Sequence, residues 1–565
     1  MRKFIPVFII CAFLIISIPR LLSLDAHWNS DEARWLQRSE NFMSAVKQAK
    51  FSDTLIAYHP GVTTTWIAGL RTFFVDAAID VQNLIYARWF IGVVVVFGIG
   101  VCGILLSSLF GKWEAVTSVA FLLFSPFFLA QTRRVHTDAL AAMFVLLTVL
   151  LLLLYCKNWQ KHRYLVLSGI TFGLAVLSKS YSLILIVWVP ICLFLFWGHG
   201  EKLLRKLFRA SAAALCFLSC GVLTIIGLWP VFWEPAFGLL AASLLGVTVL
   251  LLNTLKKDNE QKWISLLFLL TTGVVFVVVS TNAIRVLWLI LDRVTWAVTT
   301  PHEVEHFFLG KVVYDPGWLF YWFVLSIKST PLMLPLVFVC VFLFWKKRKT
   351  SVETSLQFRR VIALIVVVLL FTLCLSITSK KFSRYLLSAF PILEILAAFG
   401  FVGFIRWSAS LIQLRFGNDT NSVGATFTYV ACICYFLIQI FPVLLLHPYY
   451  GTYYNLCWKV TDITRVVTVG DASGLDSAAK YLNAKPNADQ MIVQVSPLAT
   501  EFIGRYFRGY AYRADRNIGR IPHYEIVYIR DSQIGRVPQT GTLNGALEAT
   551  ITLNGIDHVW IYQVQ

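Results

Sequence analysis

Apolar runs of about 20 residues recur along the chain from residue 4 to residue 447, with short polar clusters between them. A helical run of that length crosses roughly 30 Å of hydrocarbon. The runs carry no polar–apolar alternation, so they predict helices rather than the strands of a barrel. Spans are expected near 4–24, 89–110, 115–131, 138–156, 164–179, 182–198, 209–229, 236–253, 263–290, 318–345, 361–378, 385–405 and 425–447. Arg2-Lys3 followed by Phe4 to Leu24 is read as an uncleaved first helix, because no small-x-small cleavage site follows.

After residue 447 the pattern changes. Tyr449, Tyr450, Tyr453, Tyr454 and Trp458 form an aromatic patch suited to a membrane interface. Asp471 to Ala484 then reads as a helix with Asp471 or Ser473 as its cap and Pro486 beyond its end. Gln490–Val495, Tyr524–Arg530 and His558–Val564 are rich in β-branched and aromatic residues and read as strands. The expected fold class is an all-α polytopic membrane protein of about 13 helices with a small C-terminal α/β domain. The membrane domain covers 1–447, with a first outer loop of about 25–88, and the α/β domain covers 448–565.

Composition agrees with that pattern. Hydrophobic residues make up 58% and charged residues 14%, where a soluble domain carries about 25% charged. The net charge of +19 would fit a nucleic-acid partner, but most Lys and Arg sit in short clusters between apolar runs. With the N-terminus inside, 21 of them fall on inner loops and eight on short outer loops. That asymmetry predicts a plasma-membrane (bacterial inner-membrane) protein whose first loop and tail are extracytoplasmic, with no nucleic-acid partner. The eleven cysteines form no CxxC pair and read as small apolar fillers.

Chemistry concentrates outside. The first loop opens with Asp31-Glu32-Ala33-Arg34-Trp35. A carboxylate there can take a proton from a hydroxyl and Arg34 can bind an anion, though the cluster also reads as a solvated helix start. His59-Pro60-Gly61 follows, then Arg133-Arg134-Val135-His136-Thr137-Asp138 and Lys380-Lys381-Phe382-Ser383-Arg384-Tyr385. Cations held on the disfavoured side of a membrane suit a phosphate at its surface. Lys328 and Glu394 lie at similar depth in their spans and are expected to pair or to line the same cavity.

These residues resemble the GT-C membrane glycosyltransferases, specifically the protein O-mannosyltransferase and aminoarabinose-transferase superfamily. The Asp-Glu-x-Arg-aromatic motif is Asp31, Glu32, Arg34 and Trp35. A later first-loop motif is His59-Pro60-Gly61 before Trp66, with His59 where the aminoarabinose branch has lysine. Arg133 to Asp138 matches Arg-x4-Asp, and Lys381, Tyr385 and Pro391 match Lys-x3-Tyr-x5-Pro. The resemblance implies a polyprenyl-phosphate-linked sugar donor and an acceptor glycan, lipid or protein. It implies inverting transfer with Asp31 as base, supported by Glu32, and Asp138 orienting a sugar. Arg34, Arg133, Lys381 and Arg384 would hold the donor phosphate. Trp35, His59, Arg134, Tyr385 and Lys328 complete the expected substrate-binding set. No cofactor is required, although Asp31, Glu32 and Asp138 could hold a divalent cation. The rival reading is a transporter or flippase of a lipid-linked or polar substrate, which basic outer loops and buried ions would equally suit.

Overall fold

The computed structural model describes residues 13–564 except 15–16, 30, 58–59, 77, 197–202, 258–273, 275–279, 300–303, 379, 417–420, 459–461, 517 and 537–544. The first expected span lies largely outside the described residues, as do much of 263–290 and His59.

The segment ahead of the long helices folds as α1 (Glu32–Lys47) and α2 (Val62–Gly69). The membrane part follows with α3 (Val81–Leu109), α4 (Lys112–Phe124), α5 (Pro126–Thr132), α6 (Thr137–Lys157), α7 (His162–Ser178), α8 (Leu185–Phe196), α9 (Leu203–Leu228), α10 (Pro235–Lys257) and α11 (Thr281–Thr299). A two-stranded hairpin, β1 (His306–Phe308) and β2 (Lys311–Val313), precedes α12 (Phe320–Lys328), α13 (Met333–Lys347), α14 (Val352–Ile377), α15 (Phe390–Phe416) and α16 (Asn421–Leu445). Among the described residues six helices are long and apolar enough to cross a membrane, or eight if each bent pair is one span. Three further apolar helices, His162–Ser178, Ser180–Phe196 and Ile433–Leu445, are shorter. The chain is a multi-pass membrane protein.

Two expected straight spans are broken. α4 and α5 meet at 65° and α12 and α13 at 99°. Pro126 starts α5 and forces Ser125 before it into extended backbone, at φ −70 and ψ 110. Ser329 before the second break is likewise extended, with Pro331 just beyond it. Helix α6 is apolar on every face and almost wholly buried, so it forms the centre against which α3 and α7 pack. Helix α15 approaches α13 so closely that a Cβ on Gly400 would lie 1.9 Å from the Leu336 carbonyl.

The tail carries α17 (Leu475–Asn483) and the strands β3 (Ile492–Val495), β4 (Tyr510–Arg513), β5 (Tyr524–Tyr528), β6 (Gly545–Leu553) and β7 (Ile556–Val564). Two short helices, α18 (Thr500–Ile503) and α19 (Ile529–Gln533), join them. The sheet order is β4-β3-β5-β7-β6, parallel among the first three and antiparallel across β5, β7 and β6. The start of α17 corrects one expectation. Neither Asp471 nor Ser473 caps it; Gly474, at φ +89, turns the chain into the helix. Asp471 is held elsewhere, by Arg134 and Asn29 of the membrane part. Tyr449 to Asp476 at 2.7 Å and Tyr506 to the Asp25 carbonyl at 3.0 Å add further ties. One continuous buried cluster runs from α3 and α6 into the sheet, so the tail is packed onto the helices rather than tethered to them.

Candidate active site

Asp31 occupies the position before α1 where a side chain usually caps, yet it makes no cap bond. Its carboxylate is therefore available to distant partners. Arg384, in the 3-10 helix Ser383–Ala389 ahead of α15, donates to Asp31 Oδ2 at 2.8 Å. His136 Nε2 lies 3.4 Å from the same oxygen. Burial acts to raise the Asp31 carboxyl, but Arg384 and His136 overcome it and hold the group far below the usual carboxylate range. Oδ1 accepts no hydrogen bond from the described residues.

His136 immediately precedes α6, so its ring hangs over the helix N-terminus with Asp138 in the first turn below it. That end of the helix dipole favours an anion. His136 Nδ1 is 2.6 Å from Asp138 Oδ2, and Lys179 Nζ is 2.5 Å from Asp138 Oδ1. Arg384 Nε lies 3.6 Å from Asp138 Oδ2, so one guanidinium spans both carboxylates. Tyr181 donates to Asp138 Oδ1 at 3.4 Å. Gly61, in the first-loop motif, adopts φ +59 beneath Trp35, where a Cβ would lie 2.2 Å from the indole. Glycine is thereby required for the loop to seat Trp35, which packs edge-on against His136.

These groups face a cavity of about 750 Å³ between the helices and the tail. Eight Lys and Arg side chains line it against two Asp. Arg34 and Arg38 come from α1; Arg134, Lys179, Lys328, Lys380 and Arg384 come from the membrane part; Arg530 comes from the tail, which also contributes His558. Asp471, facing Arg134, is held below the ordinary carboxylate range by that guanidinium against the opposing effect of burial.

The expected residues divide. Asp31, Arg34, Trp35, Arg134, Lys328, Arg384 and Tyr385 line the cavity, and Asp138 sits just behind it. Glu32 does not share this site. It is fully buried, accepting from Arg88 Nε at 2.8 Å, from Arg88 Nη2, and from the Asn29 and Val135 amides at 2.8 Å each. It joins the first loop to α3 and to the turn before α6. Arg133 turns away, to the Leu22 and Ser23 carbonyls at 2.6 and 2.9 Å and to that of Pro19. Lys381 is buried against Asp315 at 2.7 Å and the Thr378 carbonyl. Lys328 donates to the Tyr453 carbonyl at 2.7 Å and lies over the Tyr454 ring, and it does not pair with Glu394. Glu394 packs beside Ser125 instead. With Glu32 committed to Arg88, the three expected carboxylates do not meet. Among the described residues no group of three or more His, Cys, Asp or Glu is arranged to hold a metal ion.

His136, Lys179, Arg38 and Arg530 were not foreseen. Lys179 carried a signal, since Ser178-Lys179-Ser180-Tyr181 interrupts two apolar runs with a lone cation. His136 lay inside the Arg133–Asp138 motif without a role of its own.

Residues 65–224 match the family described as dolichyl-phosphate-mannose-protein mannosyltransferase. The apo oligosaccharyltransferase of Archaeoglobus fulgidus superposes with a TM-score of 0.51 at 12% identity, covering 90% of this chain and 64% of that one. The chain has a GT-C-like fold. The oligosaccharyltransferase AglB from Archaeoglobus fulgidus, in complex with an inhibitory peptide and a dolichol-phosphate, gives 0.49 at 12% identity, with 94% and 70% covered. ArnT from Cupriavidus metallidurans bound to undecaprenyl phosphate gives 0.45 at 13% identity, with 98% and 97% covered. The chain thus spans 64% of the length of the apo archaeal enzyme. No curated protein matches the sequence. Within this GT-C fold the matched segment runs from α2 into α9 and so contains His136, Asp138 and Lys179.

Proposed function

We propose that the chain moves a sugar from a polyprenyl-phosphate-linked donor to an acceptor hydroxyl on the outer face of the membrane, with inversion and with Asp31 as the base. The observation that carries this reading is a carboxylate, Asp31, one oxygen of which is held by Arg384 while the other accepts no hydrogen bond from the described residues, at the edge of a strongly cationic cavity. The family name supplies the donor class.

The chemistry follows from charge. Breaking the bond between the anomeric carbon and the phosphate leaves negative charge on phosphate oxygens. Arg34, Arg38 and Arg384 are fixed cations that stabilise that charge as it develops. A phosphate arriving in the cavity competes with Asp31 for Arg384. As the guanidinium turns to the phosphate, Asp31 loses its strongest electrostatic partner and becomes more basic. The donor thereby prepares the base that will accept the acceptor's proton. Attack from the face opposite the phosphate inverts the anomeric centre.

The test uses purified full-length protein in lipid nanodiscs with a panel of labelled synthetic polyprenyl-phosphate hexoses and pentoses. Membrane glycolipids, glycans and a Ser/Thr peptide are offered as acceptors. Label leaving the lipid for an acceptor supports the reading. Movement of intact lipid-linked sugar across the bilayer, with its bond unbroken, would replace it with a flippase.

A further inference from the structure

The tail supplies a wall of the cavity that the transfer step above does not use. Arg530, Ser473 and His558 stand on it. Arg530 lies in α19, which follows β5 directly and is pinned at two residues. Gln533 donates to the Thr464 and Val467 carbonyls at 2.6 and 2.9 Å, and Asp531 Oδ1 accepts the Leu498 amide at 3.2 Å. The backbone is thus fixed, yet the Arg530 side chain enters no hydrogen bond or ion pair among the described residues, and its Nε is buried without a partner. Ser473 is 1% exposed, and its hydroxyl is likewise unpartnered among the described residues. His558 Nδ1 donates to the Ile556 carbonyl at 2.9 Å, which leaves Nε2 as an acceptor in the neutral ring that burial favours. A Cβ on Gly474 would lie 3.5 Å from that of His558, so the Ser473 turn and β7 meet here.

We infer that this wall binds an anionic group of the acceptor, a phosphate or carboxylate with hydroxyls beside it, with Arg530 as the binding cation; this rests on the reading of the cavity as the transfer site.

Charge and placement separate the wall from the groups assigned to the donor's phosphate. Arg384, His136 and Arg34 act electrostatically on Asp31, whereas Arg134, Arg384 and Arg530 act on Asp471. Arg384 belongs to both sets, so the two regions lie side by side in one cavity. Asp471 does not answer Arg530, because Arg134 and Asn29 already hold its Oδ2. A guanidinium partly withdrawn from water with nothing to bind is costly, and an anionic ligand removes that cost. A polyprenyl-phosphate diester carries one negative charge, which Arg34, Arg38 and Arg384 can meet. The donor is also anchored by its chain among the helices, while Arg530 belongs to the tail, so the group that reaches Arg530 comes from the other substrate. Arginine offers a planar fork matched to a phosphate or carboxylate. Ser473 and His558 suit the hydroxyls next to it.

Glycerol 1-phosphate is the probe, since it carries a phosphate with hydroxyls beside it, and glycerol is its neutral control. Binding of each to the full chain in nanodiscs is measured by calorimetry, with and without saturating undecaprenyl phosphate. Wild type should bind glycerol 1-phosphate and not glycerol, with an affinity that undecaprenyl phosphate leaves unchanged. R530Q should weaken that binding by about 10- to 100-fold and S473A by about threefold. Undecaprenyl-phosphate binding should stay intact in both and so report that they fold. R513Q, which removes an exposed arginine of β4, should bind the probe like wild type. Should R530Q lose undecaprenyl-phosphate binding as well, S473A decides: weakened probe binding supports the subsite and unchanged binding overturns it. No binding by wild type, or wild-type binding by folded R530Q, also overturns it. So does displacement of the probe by undecaprenyl phosphate, which would place the probe in the donor-phosphate site. Displacement by an undecaprenyl-phosphate hexose alone would give the wall to the donor's sugar and overturn the acceptor assignment. D31N should keep probe binding even where it stops transfer, so failure of the subsite and failure of Asp31 as base are read separately.

Discussion

Replacing Glu32 with Gln separates a structural carboxylate from a chemical one. Glu32 and Asp31 are adjacent in the sequence, yet Glu32 is fully buried and receives four hydrogen bonds, two of them from Arg88. Gln keeps the shape but turns one acceptor oxygen into a donor facing N–H groups, and it removes the countercharge of a buried guanidinium. Breaking a buried pair from one side costs about 3–5 kcal/mol. Arg88 keeps the Leu24, Ala26 and His27 carbonyls at 2.7–2.8 Å, so the lower figure, about 3 kcal/mol, is expected. The assay pairs thermal unfolding in nanodiscs with turnover per folded molecule. Glu32→Gln should melt at a clearly lower temperature while the folded fraction turns over within a few-fold of wild type. Glu32→Leu combined with Arg88→Met should recover much of the loss, since an apolar pair of similar volume needs no countercharge. An unchanged melting temperature with a hundredfold loss of turnover would refute this and return Glu32 to the chemistry.

Three other outcomes follow from the same geometry. Asp31 is depressed in the folded state, so its ionisation contributes stability that is complete above its unfolded value of about 4 and lost only as pH falls through the lower folded value. Arg384→Gln should narrow the gap between the folded and unfolded values and so shrink that acid-dependent loss of stability, read from melting temperatures between about pH 3 and 7, and should weaken polyprenyl-phosphate binding. Asp471→Asn removes the countercharge of Arg134 at the seam between helices and tail, so hydrogen exchange in residues 466–475 should quicken while the β5–β7 core stays protected. Lys328→Met leaves the Tyr453 and Gly451 carbonyls without their donor, and adding Glu394→Gln should not rescue its lowered melting temperature; rescue would mean the two do pair.

The helices were legible because hydrocarbon thickness imposes a length that composition displays. The runs near 89–110, 138–156, 209–229 and 361–378 correspond to α3, α6, α9 and α14. The breaks at Ser125-Pro126 and Ser329 to Leu332 were not read, although Pro126 and Pro331 are in the sequence, since an apolar stretch looks the same straight or bent. The site was legible as motifs and illegible as contacts. Arg384 and Asp31 are 353 residues apart, and Lys179 and Asp138 are 41 apart. Only the packing of α1 and the turn before α15 around the N-terminus of α6 brings them together. The same cause hid the split between Asp31 and Glu32. Neighbours at a helix start point in different directions, and the direction of each is set by Arg384 and Arg88, on distant elements. Arg133 and Arg134 diverge for the same reason, one onto the backbone at residues 19–23 and the other onto Asp471.

The most direct test of the account is transfer by Asp31→Asn, measured with labelled polyprenyl-phosphate sugar in nanodiscs alongside polyprenyl-phosphate binding. Asn keeps the side chain's shape and removes its charge and basicity. The account predicts turnover lowered by about 10²–10⁴-fold with lipid-phosphate binding kept or tightened, because Arg384 no longer has Asp31 to hold it back. Wild-type turnover in purified Asp31→Asn would contradict the assignment of the base.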